Sequence, residues 1–144
     1  MLRFPFRQPA DGVDLGRNPG PLFSVGYFGI RDDDGSIWVG WYSYGRWHGL
    51  PHRLSLRNHS STGFNWRYCG SGPAQLALAL LCHVTRNTEL ALQLYLKFHR
   101  AIVARLHRRR WHLSQRFIFR WIRQQLEADG TLCQLRGNGR VEVV

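Results

Sequence analysis

"NWRYCGSGPAQLALALL", residues 65–81, passes from an aromatic and polar stretch through Gly70-Ser71-Gly72-Pro73 into an almost unbroken apolar segment. From Gln75 to Val84 a helix would be apolar on nearly every face, which marks it as central and buried. Pro73 suits a first helical residue, with Ser71 or Gly72 as the cap before it. Free N–H groups at such a start attract anions, so Ser71 and Gly72 are also a candidate anion site. The stretch lacks the lysine of a P-loop and any G-x-G-x-x-G, and Ser71-Gly72-Pro73 is not a nucleophile elbow. A structural cap is the expectation.

Toward the N-terminus, "FSVGYFGI" (23–30) and "SIWVGWYSY" (36–44) are rich in β-branched and aromatic residues and flank "RDDDG", which supplies hairpin-turn chemistry. The three aspartates read as a solvated turn, with no neighbouring carboxylate to complete a cation shell. "HRLSLRN" (52–58) alternates Leu54 and Leu56 with polar residues and predicts a third, half-exposed strand. Toward the C-terminus, Thr88 and Glu89 open a second helix running to about Leu106, and Arg108-Arg109-Arg110 follow. Ser114 then caps a third helix from 115 to about 127, closed by Asp129-Gly130. Asn138-Gly139 between two alternating runs predicts a C-terminal hairpin. The expected fold is α+β: a small antiparallel sheet of about three N-terminal strands, then three helices. Residues 1–21 hold four of the six prolines and read as an extended arm, leaving 22–144 as a single α+β domain.

"RNHSSTGFNWRYCGSGPAQLALALL", with Tyr27, Gly29 and Arg31 upstream, resembles an uncharacterised family of small bacterial and phage proteins. Members are common on mobile elements and share a motif close to GFxWGYGGSGPAQLALALL. The resemblance spans roughly residues 26–123, including "LYLKF" and the Trp111 to Trp121 segment. Arg67 and Cys69 stand where the family usually has glycine, and Ser61 where it has proline. The resemblance implies a mobile-element setting and no reaction.

Charge is the most informative part of the composition. Lys and Arg total 20 against 9 Asp and Glu, a net charge of +11, which draws a small domain to polyanions. Between Glu89 and Glu127 there is no acid, while Lys97, Arg100, Arg105, Arg108, Arg109, Arg110, Arg116, Arg120 and Arg123 all occur. At about 100° per residue, Arg116, Arg120 and Arg123 fall within an arc of about 60°, opposite Phe117, Ile118, Trp121, Ile122 and Leu126, with Phe119 at the seam. Lys97, Arg100 and Arg108 likewise share a face of the second helix. Solvated helix faces ordinarily mix signs, whereas these lack countercharge and offer arginine forks that match phosphates.

The remaining chemistry is sparse. Cys69, Cys82 and Cys133 form no C-x-x-C pair, and the seven histidines show no H-E-x-x-H motif, so neither a metal nor a cofactor is expected. His99 reads as a core residue of the second helix. No secretory signal or membrane-length apolar run is present, and a cytoplasmic location is expected. The first expectation is a non-enzymatic protein that binds nucleic acid or a ribonucleoprotein through Lys97, Arg100, Arg108, Arg109, Arg110, Arg116, Arg120 and Arg123, with Phe119 stacking. One alternative is an anti-defence, anti-CRISPR-like inhibitor whose partner, a host defence protein, meets a patch of Trp38, Trp41, Tyr44 and Trp47. A further alternative is an enzyme using Cys69 or the histidines.

Overall fold

The computed structural model describes residues 26–43 and 46–130. Four strands, β1 (Gly26–Arg31), β2 (Ile37–Ser43), β3 (Arg46–Gly49) and β4 (Arg110–Ser114), form one antiparallel sheet in the order β3-β2-β1-β4. Helices α1 (Ser71–Thr85), α2 (Thr88–Ala101) and α3 (Gln115–Ala128) complete an α+β fold, with a short 3₁₀ turn at Val103–Arg105. The expected class and helix count hold, and the hairpin around "RDDDG" is β1–β2, in register Gly29↔Val39 and Ile30↔Trp38. The expected arm (1–21) and C-terminal hairpin lie outside the described residues.

Period-two alternation assigns the two faces of the sheet. Tyr27, Val39, Trp41, Trp111 and Leu113 share the face that packs on the helices. Phe28, Trp38, Tyr42 and Trp47 share the other, where Phe28 stacks on Trp38 at 4.7 Å and meets Trp47 edge-on at 4.3 Å. Gly29 sits opposite Trp111, whose indole nitrogen occupies the space a Cβ would need. Only glycine fits there.

Helix α1 is the hub. Twelve of its fifteen residues are buried, and Leu76, Leu78, Leu80 and Leu81 are wholly enclosed. At about 1.5–3 kcal/mol for each buried leucine side chain, this segment dominates the core. Around it pack Leu94, Phe98, Ile118, Ile122 and Leu126 from α2 and α3. Asn87 caps α2 by accepting from the Leu90 N–H at 3.1 Å, and Ser114 caps α3 by accepting from the Phe117 N–H at 3.0 Å. Asp129 and then Gly130, at φ +72°, close α3 as expected.

Two boundaries differ from expectation. Residues 52–58 are not a strand: the Leu56 and Arg57 N–H groups both bond the Arg53 carbonyl, a turn that leaves Leu54 exposed. The third N-terminal strand is instead 46–49, which is short and lacks β-branched residues. The second helix stops at Ala101 rather than near Leu106. The chain then tightens so that the Val103 carbonyl accepts from the Arg67 N–H, tying the long 50–70 segment to the end of α2. This early stop also removes Arg108 from the helix.

Candidate functional site

Residues 50–70 contain no regular element, yet they are pinned throughout. Gln75, the polar interruption in α1, is wholly buried. Its Oε1 accepts from the His59 N–H at 2.8 Å and the Ser60 N–H at 3.3 Å, while its Nε2 donates to the His52 carbonyl. Asn65 Oδ1 accepts from Arg31 Nη2 at 2.6 Å and from the Trp66 N–H at 2.9 Å. The Arg31 guanidinium lies over the Trp66 ring at 4.9 Å and also donates to the Arg108 carbonyl. Trp66 in turn donates its indole N–H to the carbonyls of His107 and Arg108. These contacts lock β1, the long segment and the approach to β4 into one frame.

The Gly70-Ser71-Gly72-Pro73 turn belongs to that frame. Gly70, in extended conformation, is the N-cap residue, and no side chain caps α1. The expectation that Ser71 or Gly72 caps the helix is therefore corrected: the helix already includes them, and Pro73 is its third residue. A Cβ on Gly72 would collide with Asn65, so this glycine admits the asparagine that holds Arg31. Ser71, exposed, and Gly72, buried, lie at one wall of a cleft of about 550 Å³ that Trp38, His52, Thr62 and Tyr68 also line. With no capping bond to lose, Ser71→Ala should change unfolding free energy by less than about 0.5 kcal/mol. A urea melt checks this, and a loss of 1 kcal/mol or more would show the hydroxyl to be structural.

Among the expected anion-binding residues, Lys97, Arg100, Arg108, Arg109, Arg110, Arg116, Arg120 and Arg123 are all exposed. Arg116, Arg120 and Arg123 project from α3 opposite the buried Ile118, Trp121, Ile122 and Leu126, as the periodicity predicts. The missing countercharge is partly supplied from outside the acid-free span. Lys97 lies 3.4 Å from Asp129, and Arg109 pairs with Asp33 of the β1–β2 turn. Arg108 and Arg109 lie in the connection before β4 and Arg110 begins that strand, so Arg108 does not share a helical face with Lys97 and Arg100. Phe119 packs against the core, whereas Phe117, expected inside, is 39% exposed.

The aromatic patch expected for a protein partner is divided. Trp38 and Trp47 lie on the outer face, Trp41 lies on the core face, and Tyr44 is outside the described residues. The histidines are placed individually. His59 Nε2 bonds Tyr95 Oη at 2.8 Å, His52 stacks on Phe64 at 4.1 Å, and His99, buried in α2 as expected, bonds the Tyr68 carbonyl at 3.3 Å. Cys69 is exposed and Cys82 buried, where burial raises its thiol pKa. No three histidine, cysteine or carboxylate groups converge among the described residues.

A constellation that the sequence did not single out surrounds His83, in the last turn of α1. Tyr27, wholly buried in β1, bonds His83 Nδ1 through its phenol at 2.6 Å. Trp41 lies 4.6 Å from the His83 ring and stacks on His48 at 4.2 Å. Burial first, then the charges of Arg53, Arg86 and His48, hold the His83 imidazole pKa down at about 4. Burial likewise pushes the Tyr27 phenol above its ordinary range, with Arg86 opposing. The bond therefore joins a neutral imidazole and a protonated phenol at neutral pH. The only advance signal was Tyr27 itself, noted upstream of the long motif.

Residues 27–124, from Tyr27 through most of α3, match the family of unknown function DUF6166, and the chain belongs to that family. No curated protein and no solved structure matches the chain.

Proposed function

We propose that this member of a family without an assigned activity is a non-enzymatic accessory protein of a mobile element that binds nucleic acid or a ribonucleoprotein. One observation carries the proposal: Arg100, Arg105, Arg108, Arg110, Arg116, Arg120 and Arg123 are exposed, and none has a carboxylate partner among the described residues. Such a surface repels itself until an anion neutralises it, and guanidinium forks match phosphate oxygens. Phe117, exposed on the same helix, replaces Phe119 as the aromatic available for stacking on an unpaired base. The inhibitor alternative relied on an aromatic patch of which Trp38 and Trp47 lie on the outer face and Trp41 on the core face, so part of that patch faces the helices.

Titration of a labelled duplex across a salt series tests the proposal. About six phosphate contacts give a log–log slope near −5 on duplex DNA. Changing Arg116 and Arg120 to Ala should make that slope shallower by about two units without lowering the melting temperature, since both residues are exposed. No binding of duplex or single strand at low salt, or an unchanged slope in the variant, would sink the proposal.

A further inference from the structure

The cleft beside the start of α1 has a floor and a rim of different chemistry. Val39, Leu50 and Phe64 line it and belong to the buried core, so its floor is apolar. His52 lies flat on Phe64, the rings 4.1 Å apart and 7° from parallel, and adds a π-surface to one wall. Desolvation holds the His52 imidazole below its ordinary pKa, so this wall is neutral at neutral pH. At about 550 Å³ the cleft has the size of a small-molecule site, for which about 300–1,000 Å³ is usual. No Asp, Glu, Lys or Arg is among its described lining residues. The part of a ligand that lies inside is therefore uncharged.

Three uncommitted polar side chains meet at Gly72. A Cβ placed on Gly72 would lie 2.7 Å from Asn65 Cβ and 3.3 Å from Tyr68 Oη, and Ser71 is its chain neighbour. All three residues line the cleft. The orientation of the Asn65 amide is fixed, because Oδ1 accepts from both Arg31 Nη2 and the Trp66 N–H. Its Nδ2 is thus a donor without a partner among the described residues. The hydroxyls of Tyr68 and Ser71 likewise make no hydrogen bond there, and each can donate or accept. The Tyr68 ring folds back on Gly70, where a Cβ would fall 2.5 Å from its Cε2, yet the residue stays 47% exposed. Glycine at 70 and 72 is what lets Asn65 and Tyr68 come this close.

We propose that this cleft binds a single unpaired nucleobase, an inference that rests on the nucleic-acid reading above and adds a place for the base to its places for phosphate. The base lies over the apolar floor beside the His52–Phe64 pair. Its edge meets Asn65 Nδ2 and the hydroxyls of Tyr68 and Ser71. A nucleobase is planar and uncharged, stacks on aromatic rings and carries hydrogen-bond acceptors along its edges, whereas the phosphates beside it are anionic. That division matches the surroundings. The 50–70 segment that frames the cleft holds Arg53, Arg57 and Arg67, all exposed, and no acid. An unpaired base within a strand and a free nucleoside present the same chemistry to the cleft.

The probes are adenosine, uridine, a short single strand of mixed sequence and an abasic strand of the same length. The backbone amides of Gly70 and Gly72 report on the cleft by NMR. Both nucleosides should shift them saturably and alike at low and high salt, because neither carries a phosphate. The mixed strand should bind about tenfold or more tighter than the abasic one. Tyr68→Phe combined with Ser71→Ala changes two exposed side chains, so the melting temperature should hold. In that variant nucleoside binding should weaken about tenfold and the advantage of the mixed strand should disappear. His52→Ala, which removes the stacked ring and keeps the carbonyl that Gln75 needs, should weaken both as well. The proposal is overturned if neither nucleoside gives a saturable shift and the two strands bind alike, or if these variants behave as wild type. A mixed-strand advantage assigns a base within nucleic acid, and saturable nucleoside shifts with equal strand affinities assign a free nucleoside. Equal, steeply salt-dependent strand binding with no nucleoside shift removes the cleft and leaves the arginine surface standing. Nucleoside shifts without binding of either strand do the reverse.

Discussion

Replacing Gln75 by Leu should destabilise the fold by about 2–5 kcal/mol, although leucine keeps the size and apolar character of its neighbours in α1. Three backbone groups depend on this one amide: the N–H groups of His59 and Ser60 and the carbonyl of His52. Each polar group left buried without a partner costs about 1–3 kcal/mol. Partial rehydration of the surrounding segment, most of which is exposed, keeps the total below the full sum. A urea denaturation midpoint measures the loss. Limited trypsin digestion supplies a local readout, because Arg53 and Arg57 lie in the segment that Gln75 ties down. Cleavage there should quicken more than the global loss explains. A variant with the wild-type midpoint and wild-type cleavage would show that the three bonds contribute nothing.

A second large effect is set by pH. The folded His83 imidazole titrates at about 4, against about 6.5 for an unfolded histidine. Between those values the unfolded chain takes up a proton that the folded one refuses, so stability falls as the pH drops through the window. Above about 6.5 this contribution is complete, and below about 4 it no longer changes. The full displacement corresponds to about 3.4 kcal/mol, and partial solvent access reduces it to roughly 2–3 kcal/mol. His52, His99 and His112, also lowered by burial, add slopes of the same sign. The check is therefore a difference: unfolding free energies of wild type and His83→Gln at pH 7 and pH 4.5. The wild type should lose more on acidification, by an amount on the order of 2 kcal/mol. Parallel pH profiles would remove His83 from the account. Because Tyr27 shares the hydrogen bond, the variant is also expected to lose some stability at pH 7.

These two residues show what was legible in advance. The apolar run from Leu76 to Val84 could only be a buried segment, and it is the hub of the fold. Gln75 was visible as a polar residue at the head of that run, but its partners come from positions 15 to 23 residues earlier, in a segment with no repeating pattern. Strand β4 was hidden for another reason. "RWHLS" alternates properly, with Trp111 and Leu113 inward, but it is only five residues long and lies in a stretch read for its charge. The arginine face of α3 was legible because helical periodicity gathers Arg116, Arg120 and Arg123 on one side, although the same periodicity placed the exposed Phe117 inside. The His83 constellation was not, because Tyr27, Trp41, His48 and His83 come from four separate segments.

Strand β1 lies between β2, its neighbour in sequence, and β4, which begins about eighty residues further on. During synthesis the aromatic hairpin is therefore made long before the strand that completes its far side. At roughly 5–20 residues per second, the β1 edge waits on the order of 4–16 s for its partner, while α1 and α2 are still being added. Throughout that interval the nascent chain presents unpaired N–H and C=O groups beside a cluster of tryptophans, a combination that invites pairing with another chain. The strand order thus leaves the β1 edge open to mispairing until β4 has been made.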